Sequence, residues 1–334
     1  MVKFNTPYQN IITVQNLLHA WEAFFGGKKK KSDVILFQAK LMDNIFELHQ
    51  VLTSKTYCHG GYRSFNISDP KPRNIHKASV RDRLLHHLLY QELYPYFERQ
   101  FIHDSYSCRL EKGTHKAIRQ FERMARKASR NNTRTYWVLK CDIKKFFANI
   151  DHVVLKEIFA KYIKDKDVLW LLGRVIDSFN TPGRQGAGLP LGNLTSQLFV
   201  NIYMNEFDQF VKRKLKVKYY IRYADDFVVL STDKEWLCRQ IPKITEFLGN
   251  QLKLSLHPDK VFIKTSASGV DFLGWVNFPH HRVMRTATKK RMMRRIKNHP
   301  TDETLQSYLG LLTHGNAYRL QEKAINIYGL LKNN

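Results

Sequence analysis

Apolar and polar positions recur along this chain with a period that changes from segment to segment, and the period assigns the elements. Residues 11–25 carry apolar side chains at helical spacing; Gly26-Gly27 stops that helix, and Lys28 to Lys31 follow as a charged turn. Residues 34–52 predict a second helix with Leu36, Ala39, Met42, Ile45, Phe46 and Leu52 at its apolar positions. Residues 62–67 alternate as a strand does, Asp69-Pro70-Lys71-Pro72 predicts a turn, and Arg73-Asn74-Ile75 begins a return strand, so a short basic hairpin is expected. Residues 81–90 read as helix, 136–142 as an aromatic and β-branched strand ending on an acid, and 153–163 and 167–179 as helices. A glycine-rich loop at 183–188 precedes a long helix, 195–215, with Phe199, Ile202, Tyr203, Phe207 and Phe210 on one face, a stripe most simply read as core. Residues 219–230 are apolar and aromatic except for Ala224-Asp225-Asp226, which predicts a β-hairpin with two adjacent carboxylates at its tip. Residues 248–254 read as a helix end running into a strand, 261–264 and 270–276 as strands, and the rest as helix to 331 with a break at Gly315-Asn316. No internal repeat or low-complexity tail interrupts this order.

Length and charge narrow the partner. A chain of 334 residues can bury a large core in two or three subdomains. Its 55 Lys+Arg against 29 Asp+Glu leave a formal net charge of +26, which favours a polyanion, nucleic acid first. An anionic membrane surface is the rival, but there is no transmembrane-length apolar run, signal-peptide pattern or amphipathic membrane helix, so no membrane partner is expected. Cys58, Cys108, Cys141 and Cys238 are scattered without a Cys-x-x-Cys pair, which indicates neither zinc site nor disulfide scaffold and fits reduced thiols in a cytosol.

The acids carry the chemistry. Two adjacent carboxylates on a turn between apolar strands repel each other unless a cation sits there, and Mg²⁺ suits hard oxygen ligands while keeping positions for water and phosphate. Asp142 ends another strand, and neighbouring strands could bring it to Asp225 and Asp226. Three carboxylates can hold two Mg²⁺ ions, one activating an attacking hydroxyl and one holding a triphosphate and its leaving group. No P-loop, protein-kinase loop or dinucleotide fingerprint is present.

Asp142-Ile143-Lys144-Lys145-Phe146-Phe147 and Tyr223-Ala224-Asp225-Asp226 resemble the metal-binding motifs of reverse transcriptases. Other segments follow that family's order. Lys71-Pro72-Arg73 with Asp82-Arg83-Leu84 resembles the basic fingers motif, and Tyr106-Ser107-Cys108-Arg109 with Gly113-Thr114-His115-Lys116-Ala117 the next fingers motif of group II intron-like enzymes. Leu189 to Gln197 falls where the palm motif before the long helix belongs, and Leu256-His257-Pro258-Asp259-Lys260 and Phe272-Leu273-Gly274-Trp275 match the last palm motifs. The resemblance implies an α+β right-hand polymerase fold: an N-terminal helical extension at 1–60, fingers at 61–135, a palm with an antiparallel sheet at 136–276 (the 180–197 motif joining fingers and palm), and a helical thumb at 277–334. It implies RNA-directed DNA synthesis with two Mg²⁺ ions, Mn²⁺ being a substitute. Asp142 and Asp225 would be metal ligands, Asp226 a ligand or outer-shell acid, and the Ile143 carbonyl a further ligand. Lys260 would protonate the pyrophosphate leaving group. Phe147 stands where the family places its steric gate against a 2′-hydroxyl. Lys71, Arg73 and Arg83 are candidates for the dNTP triphosphate, with Gly192 letting the backbone approach the substrate. Lys289, Lys290, Arg291, Arg294 and Arg295 lie in a stretch, 285–297, where seven of thirteen residues are basic; as part of the thumb they would grip the RNA–DNA duplex through its backbone.

One departure narrows the resemblance. Where most group II and retroviral enzymes have Gln-Gly-x-x-x-Ser-Pro, this chain has Leu191-Gly192-x-x-x-Ser196-Gln197, and an aliphatic residue followed by Ser-Gln resembles the enzymes of diversity-generating retroelements. Leu191 fills the space of the glutamine but can neither donate nor accept, and selectivity built on a placed polar contact exceeds that from apolar fit. Error-prone cDNA synthesis, chiefly opposite template adenine, is what that resemblance implies; so are a structured template RNA with its primer, a small basic accessory protein and a cytoplasmic, bacterial or phage-encoded setting. No RNase H, maturase or endonuclease region is expected after residue 334. The alternatives are a phage-defence or other unassigned bacterial reverse transcriptase and, from another class, a catalytically silent RNA-binding protein on a polymerase scaffold.

Overall fold

The structure, a computed structural model, describes residues 3–68 and 72–332. Along the chain run α1 (Tyr8–Ile11), α2 (Val14–Phe25), α3 (Ser32–Ala39), α4 (Leu41–Thr53), the hairpin β1 (Tyr62–Ile67) and β2 (Arg73–Ala78), α5 (Val80–Glu98), α6 (Thr114–Ala128), β3 (Trp137–Asp142), α7 (His152–Tyr162), α8 (Lys166–Ile176) and α9 (Leu194–Gln209). There follow β4 (Tyr219–Tyr223), β5 (Asp226–Ser231), α10 (Lys234–Leu252), β6 (Phe262–Thr265), β7 (Val270–Phe272), β8 (Trp275–Asn277), β9 (Arg282–Met284), α11 (Thr286–Asn298), α12 (Asp302–Leu312) and α13 (Tyr318–Lys332). The chain divides into two units: Met1–His103, Ile143–Lys214 and Lys243–His257 in the first, Asp104–Asp142, Leu215–Pro242 and Pro258–Asn334 in the second.

The first unit is helical around α9, with α5 and α7 packed on it and α2 on α5. Phe97, Phe159 and Phe199 meet edge-on in series at 5.8 and 5.1 Å between ring centres, the offset geometry aromatic quadrupoles favour. The expected one-sided stripe understates α9: Leu198, Phe199, Ile202, Tyr203, Met204 and Phe207 are buried, and so are Asn201, Asn205 and Asp208. A helix buried on all faces is the unit's centre, and its regular α-helix stops at Gln209, with a π-turn over Phe210–Lys214 completing the predicted span. The predicted helix over 34–52 is two helices, broken at Lys40, whose φ of −125° and ψ of 41° leave the helical region. The break turns Leu36, Met42 and Phe46 outward, while Ile45, Leu48 and Leu52 go inside.

The second unit is built on a four-stranded antiparallel sheet in the order β4-β5-β3-β6. Helix α6 covers one face. Ala117, Phe121, Met124, Ala125 and Ala128 from α6 join Val138, Ile221, Val228, Leu230, Val270 and Phe272 in one core. Each such large side chain removed from water contributes about 1.5–3 kcal/mol. A second core gathers Met292 and Ile296 of α11, Leu305 and Leu312 of α12, and Ala324 and Tyr328 of α13 around Trp275 and Met284. The chain can turn between α12 and α13 only at a glycine: a Cβ on Gly315 would lie 2.1 Å from the Trp275 ring. Residues 270–276 are not one strand but the hairpin β7–β8, closed by Leu273 and Gly274 at φ of 53° and 87°. The strand expected after 248–254 does not form there; α10 continues to Leu252 and pairing resumes with β6.

Candidate active site

β3 and β5 pair antiparallel with Asp142 opposite Asp226, and β4 pairs with β5 so that Tyr223 faces Asp226. The connection between β4 and β5 is therefore Ala224-Asp225 alone, a two-residue hairpin turn with Ala224 at φ 55°. An alanine in the left-handed region is strained by about 1–2 kcal/mol, and such strain persists only where its surroundings enforce it. Arg222 does so. Its side chain is fully buried; Nη1 donates to the Ala224 carbonyl at 3.1 Å and Nη2 to Ser105 Oγ at 3.0 Å. Its backbone is held on both sides, its N–H by the Asp104 carbonyl and its carbonyl by the Tyr106 N–H. The sequence reading passed over Arg222 because a lone arginine in an apolar strand carries no pattern.

Two lysines address the carboxylates. Lys260, on a 3-10 turn directly before β6, donates to Asp142 Oδ1 at 3.0 Å. Lys140 lies 3.2 Å from Asp226 Oδ2 and donates to the Asp271 carbonyl at 2.7 Å. Sequence reasoning missed Lys140, although its signal was present: two residues before Asp142 on one strand, it shares that residue's face. Burial pushes the Asp226 carboxyl up to about 6, with Asp225 and Asp142 pushing the same way and Lys140 opposing. Among the described residues Asp226 Oδ1 is buried without a hydrogen-bond partner. An orphaned carboxylate oxygen facing two more acids is a place for a cation. No group of three or more His, Cys, Asp or Glu among the described residues is gathered as a ready-made cage. What fits Mg²⁺, an ion held by one or two carboxylates with the remainder from phosphates and water, is the unpartnered Asp226 Oδ1 beside the Asp225 turn. The donor set therefore fits the ion expected, supplied in part by the substrate.

The remaining predicted residues divide between the units. In the first, Ile143 is buried and bridges Leu256, and the next residue's N–H reaches the Ser255 carbonyl at 3.0 Å. Phe147 lies on the 3-10 turn Phe146–Asn149, half-buried, its ring edge-on to Phe146 at 5.6 Å. Its carbonyl accepts from the Leu189 N–H at 2.9 Å, which ties the turn to the segment leading into Leu191. That segment is clamped to the β1–β2 hairpin: the His76 N–H donates to the Leu191 carbonyl at 2.9 Å, and Asn193 Nδ2 to the His76 carbonyl at 2.8 Å. Gly192 is required between them, since it sits at φ 99° and a Cβ would lie 2.7 Å from Ile75 Cγ2. Phe147, Leu191 and Gly192 are thus brought together. Arg73 is exposed on β2. Arg83 is engaged, with Nη2 on Asp33 Oδ2 and its guanidinium 5.1 Å from the centre of the Phe24 ring; Lys77 shares the same carboxylate at 2.6 Å. Lys71 lies outside the described residues.

In the second unit, Lys289, Lys290, Arg294 and Arg295 are exposed on α11 and Arg291 is half-buried, with Met292 and Ile296 facing the core. The apolar residues interleaved with the charges are what dock the helix and leave its basic face outward. Among the described residues no helix is long and apolar enough to cross a membrane.

Comparison with known proteins adds four findings. The family described as "Reverse transcriptase (RNA-dependent DNA polymerase)" matches residues 67–276, more than half of the chain. The chain is 27% identical over 309 residues to Protein YkfC of Escherichia coli K12, covering 80% of this chain and 78% of that protein. It is 24% identical over 321 residues to the group II intron-encoded protein LtrA of Lactococcus lactis, covering 75% of this chain but only 51% of LtrA. In structure it is similar to apo telomerase from Candida tropicalis truncated from its C-terminal domain, with a TM-score of 0.51 at 13% identity over 73% of this chain and 60% of the other.

Proposed function

Because this chain belongs to the reverse transcriptase (RNA-dependent DNA polymerase) family and has the right-hand polymerase fold, we propose that it copies an RNA template into DNA, and does so with errors opposite adenine as part of a diversity-generating retroelement. The observation that carries the polymerase reading is the register of β3 on β5, which sets Asp142 opposite Asp226 beside the Asp225 turn with one buried carboxylate oxygen unpartnered. The observation behind the error-prone reading is Leu191, an apolar side chain on the glycine-hinged segment pinned to β2. In this reading 1–60 is a helical extension, 61–135 the fingers, 136–276 the palm and 277–334 the thumb.

The reaction forms a bond between the primer 3′-oxygen and the α-phosphorus of a dNTP and breaks the α–β phosphoanhydride, releasing pyrophosphate. Asp142, Asp225 and Asp226, with the Ile143 carbonyl, are the groups that would hold Mg²⁺, or Mn²⁺ in its place. Bound there, the metal supplies Lewis acidity to the attacking hydroxyl and charge neutralisation to the triphosphate. Lys260, an ammonium on a short rigid turn, protonates the leaving pyrophosphate. Phe147 packs under the sugar and excludes a 2′-hydroxyl. Arg73, Lys71 and Arg83 neutralise the triphosphate, Arg83 by leaving Asp33, and the α11 cations hold the duplex backbone. A small basic accessory protein and a structured RNA complete the assembly in the cytoplasm.

The test is deep sequencing of cDNA made by the purified protein with Mg²⁺ and dNTPs on a defined RNA–primer duplex, scored by template base. Errors should concentrate opposite adenine and fall about tenfold in Leu191→Gln, the effect of one added hydrogen bond of about 1.4 kcal/mol. Uniformly low errors would keep the polymerase and turn the assignment to a phage-defence or other bacterial enzyme. Asp225→Ala should lower incorporation at least a hundredfold, since a bound metal contributes several kcal/mol to the transition state; cDNA synthesis abolished in that variant rules out the catalytically silent RNA-binding scaffold, and full activity would remove Asp225 from the site.

A further inference from the structure

At the end of the second unit's sheet opposite the carboxylates, a cleft of about 520 Å³ opens between the loop after α6, the start of β4, the end of β5 and the start of α10. From Asp226 to Ser231 the strand β5 advances about 17 Å at the usual rise per residue, so this cleft is separate from the carboxylate turn. Lys127, Arg130, Arg134, Lys216 and Lys218 line it, all exposed, with the half-buried rings of Tyr219 and Trp236. Its one acid, Asp233, is committed elsewhere: Oδ1 caps α10 through the Trp236 N–H at 2.8 Å, and Oδ2 lies 3.7 Å from Arg239. Lys127, Arg130, Arg134 and Lys216 have no acidic partner among the described residues.

The backbone that presents these cations is strained and locked. Arg130, Asn131 and Asn132 follow one another at φ 49°, 56° and 66°, and Lys216 sits at 52°. Arg130 and Lys216 each cost about 1–2 kcal/mol in that region, whereas the two asparagines are residues that visit it more readily. The loop is held there by the Asn131 N–H on the Arg126 carbonyl at 2.8 Å, the Arg134 N–H on the Ser129 carbonyl at 2.9 Å, and the Asn132 N–H on Ser129 Oγ at 2.8 Å. A solvated surface loop has no need of such bracing, and strain of this kind points to a role for the side chains it aims.

We propose that this cleft is a second nucleic-acid site, binding a single strand with its phosphates on the four unpaired cations and a base against Trp236 or Tyr219. Cations that follow a backbone beside an aromatic face that stacks bases are what single-strand binders use, whereas an acidic peptide would leave Trp236 unexplained; Tyr219 also packs on the α6 core and lies under Lys218, 5.4 Å from its ring centre. The strand is either the unpaired flank of the template or the emerging cDNA; only that choice rests on the polymerase reading. The site lies away from the catalytic carboxylates, so it retains a strand without joining the reaction.

The test is binding, which needs no nucleotide incorporation. Fluorescence anisotropy of labelled oligouridylate and of oligothymidylate is measured against salt for the full chain and for K127A/R130A/R134A/K216A. The variant should bind at least tenfold more weakly, with a slope of log affinity against log salt shallower by about 2–3, as expected for four lost phosphate contacts on a single strand. Extension of a short primed duplex without flanks should be unchanged. Trp236→Ala should weaken binding about five- to a hundredfold while leaving the salt slope intact; if it does not fold, Trp236→Leu replaces it. The tighter of the two oligonucleotides names the strand. Unchanged affinity and slope in the quadruple variant would overturn the proposal. So would polyglutamate displacing RNA from the wild-type cleft at equal charge concentration, which would make this a docking site for an acidic protein. Loss of extension on the short duplex together with binding would also overturn it, because the cations would then serve the catalytic duplex.

Discussion

Single side chains at the carboxylate turn are held by partners that a sequence does not pair. Arg222 is an example: it lies inside the unit, and its guanidinium stiffens the turn through the Ala224 carbonyl. Arg222→Met should cost about 2–3 kcal/mol in urea unfolding, the range for a buried hydrogen bond to a charged group, and should lower incorporation more than Ser105→Ala does. Lys260 makes a second case. It contacts Asp142 in this structure, so its removal frees a carboxylate as well as deleting an acid. If it protonates pyrophosphate, Lys260→Ala lowers kcat a hundredfold or more while KM for dNTP moves little, and Lys260→Arg restores part of the rate. A KM effect alone would make Lys260 a positioning residue for Asp142.

At the scale of elements, the two hairpins β1–β2 and β4–β5 were legible, while the pairings of β6 to β9 and the helix packing were not. The β4–β5 hairpin and the β1–β2 hairpin follow from alternation and turn chemistry, which are local. The split of 34–52 into α3 and α4 was not legible, because the pattern has no proline or glycine at Lys40. Periodicity also set Leu36, Ala39, Met42 and Phe46 among the helix's apolar positions, although all four are exposed. The clamp between β2 and the Leu191 segment joins residues far apart in the chain, so its effect is testable only through the fold. Gly192→Ala should destabilise the protein by about 1–2 kcal/mol from its positive φ alone, with a further loss as Ile75 gives way. Thermal melting measures the first effect. If the segment helps seat the nucleotide, incorporation should fall further than stability explains.

For the whole molecule, charge and buried histidines set the response to solution conditions. A net charge of +26 makes affinity for any nucleic acid strongly salt-dependent. Burial, with His59, holds His86 down at about 3, so it stays neutral inside while the unfolded chain takes up a proton below its ordinary value of 6.5. Stability therefore falls as pH drops from 6.5 toward 3, by about 1.4 kcal/mol per unit from this residue. Unfolding free energies from urea melts at pH 7 and pH 5 should differ by about 2 kcal/mol for that reason, and an unchanged free energy would contradict it.

The sequence by itself determined the strands that end on Asp142 and start on Asp226, the left-over positive charge, and the order of motifs that marks the family, because each depends on neighbours in the chain or on simple counts. Only the tertiary structure decided that Lys140 and Lys260 answer those acids, that Arg222 braces their turn, that Arg83 is engaged with Asp33 and Phe24, and that four cations meet around Trp236. Apart from Arg222 on the Ala224 carbonyl two residues on, those are pairings across long loops. They are set by which surfaces bury together rather than by any local preference, and a linear pattern carries no record of them.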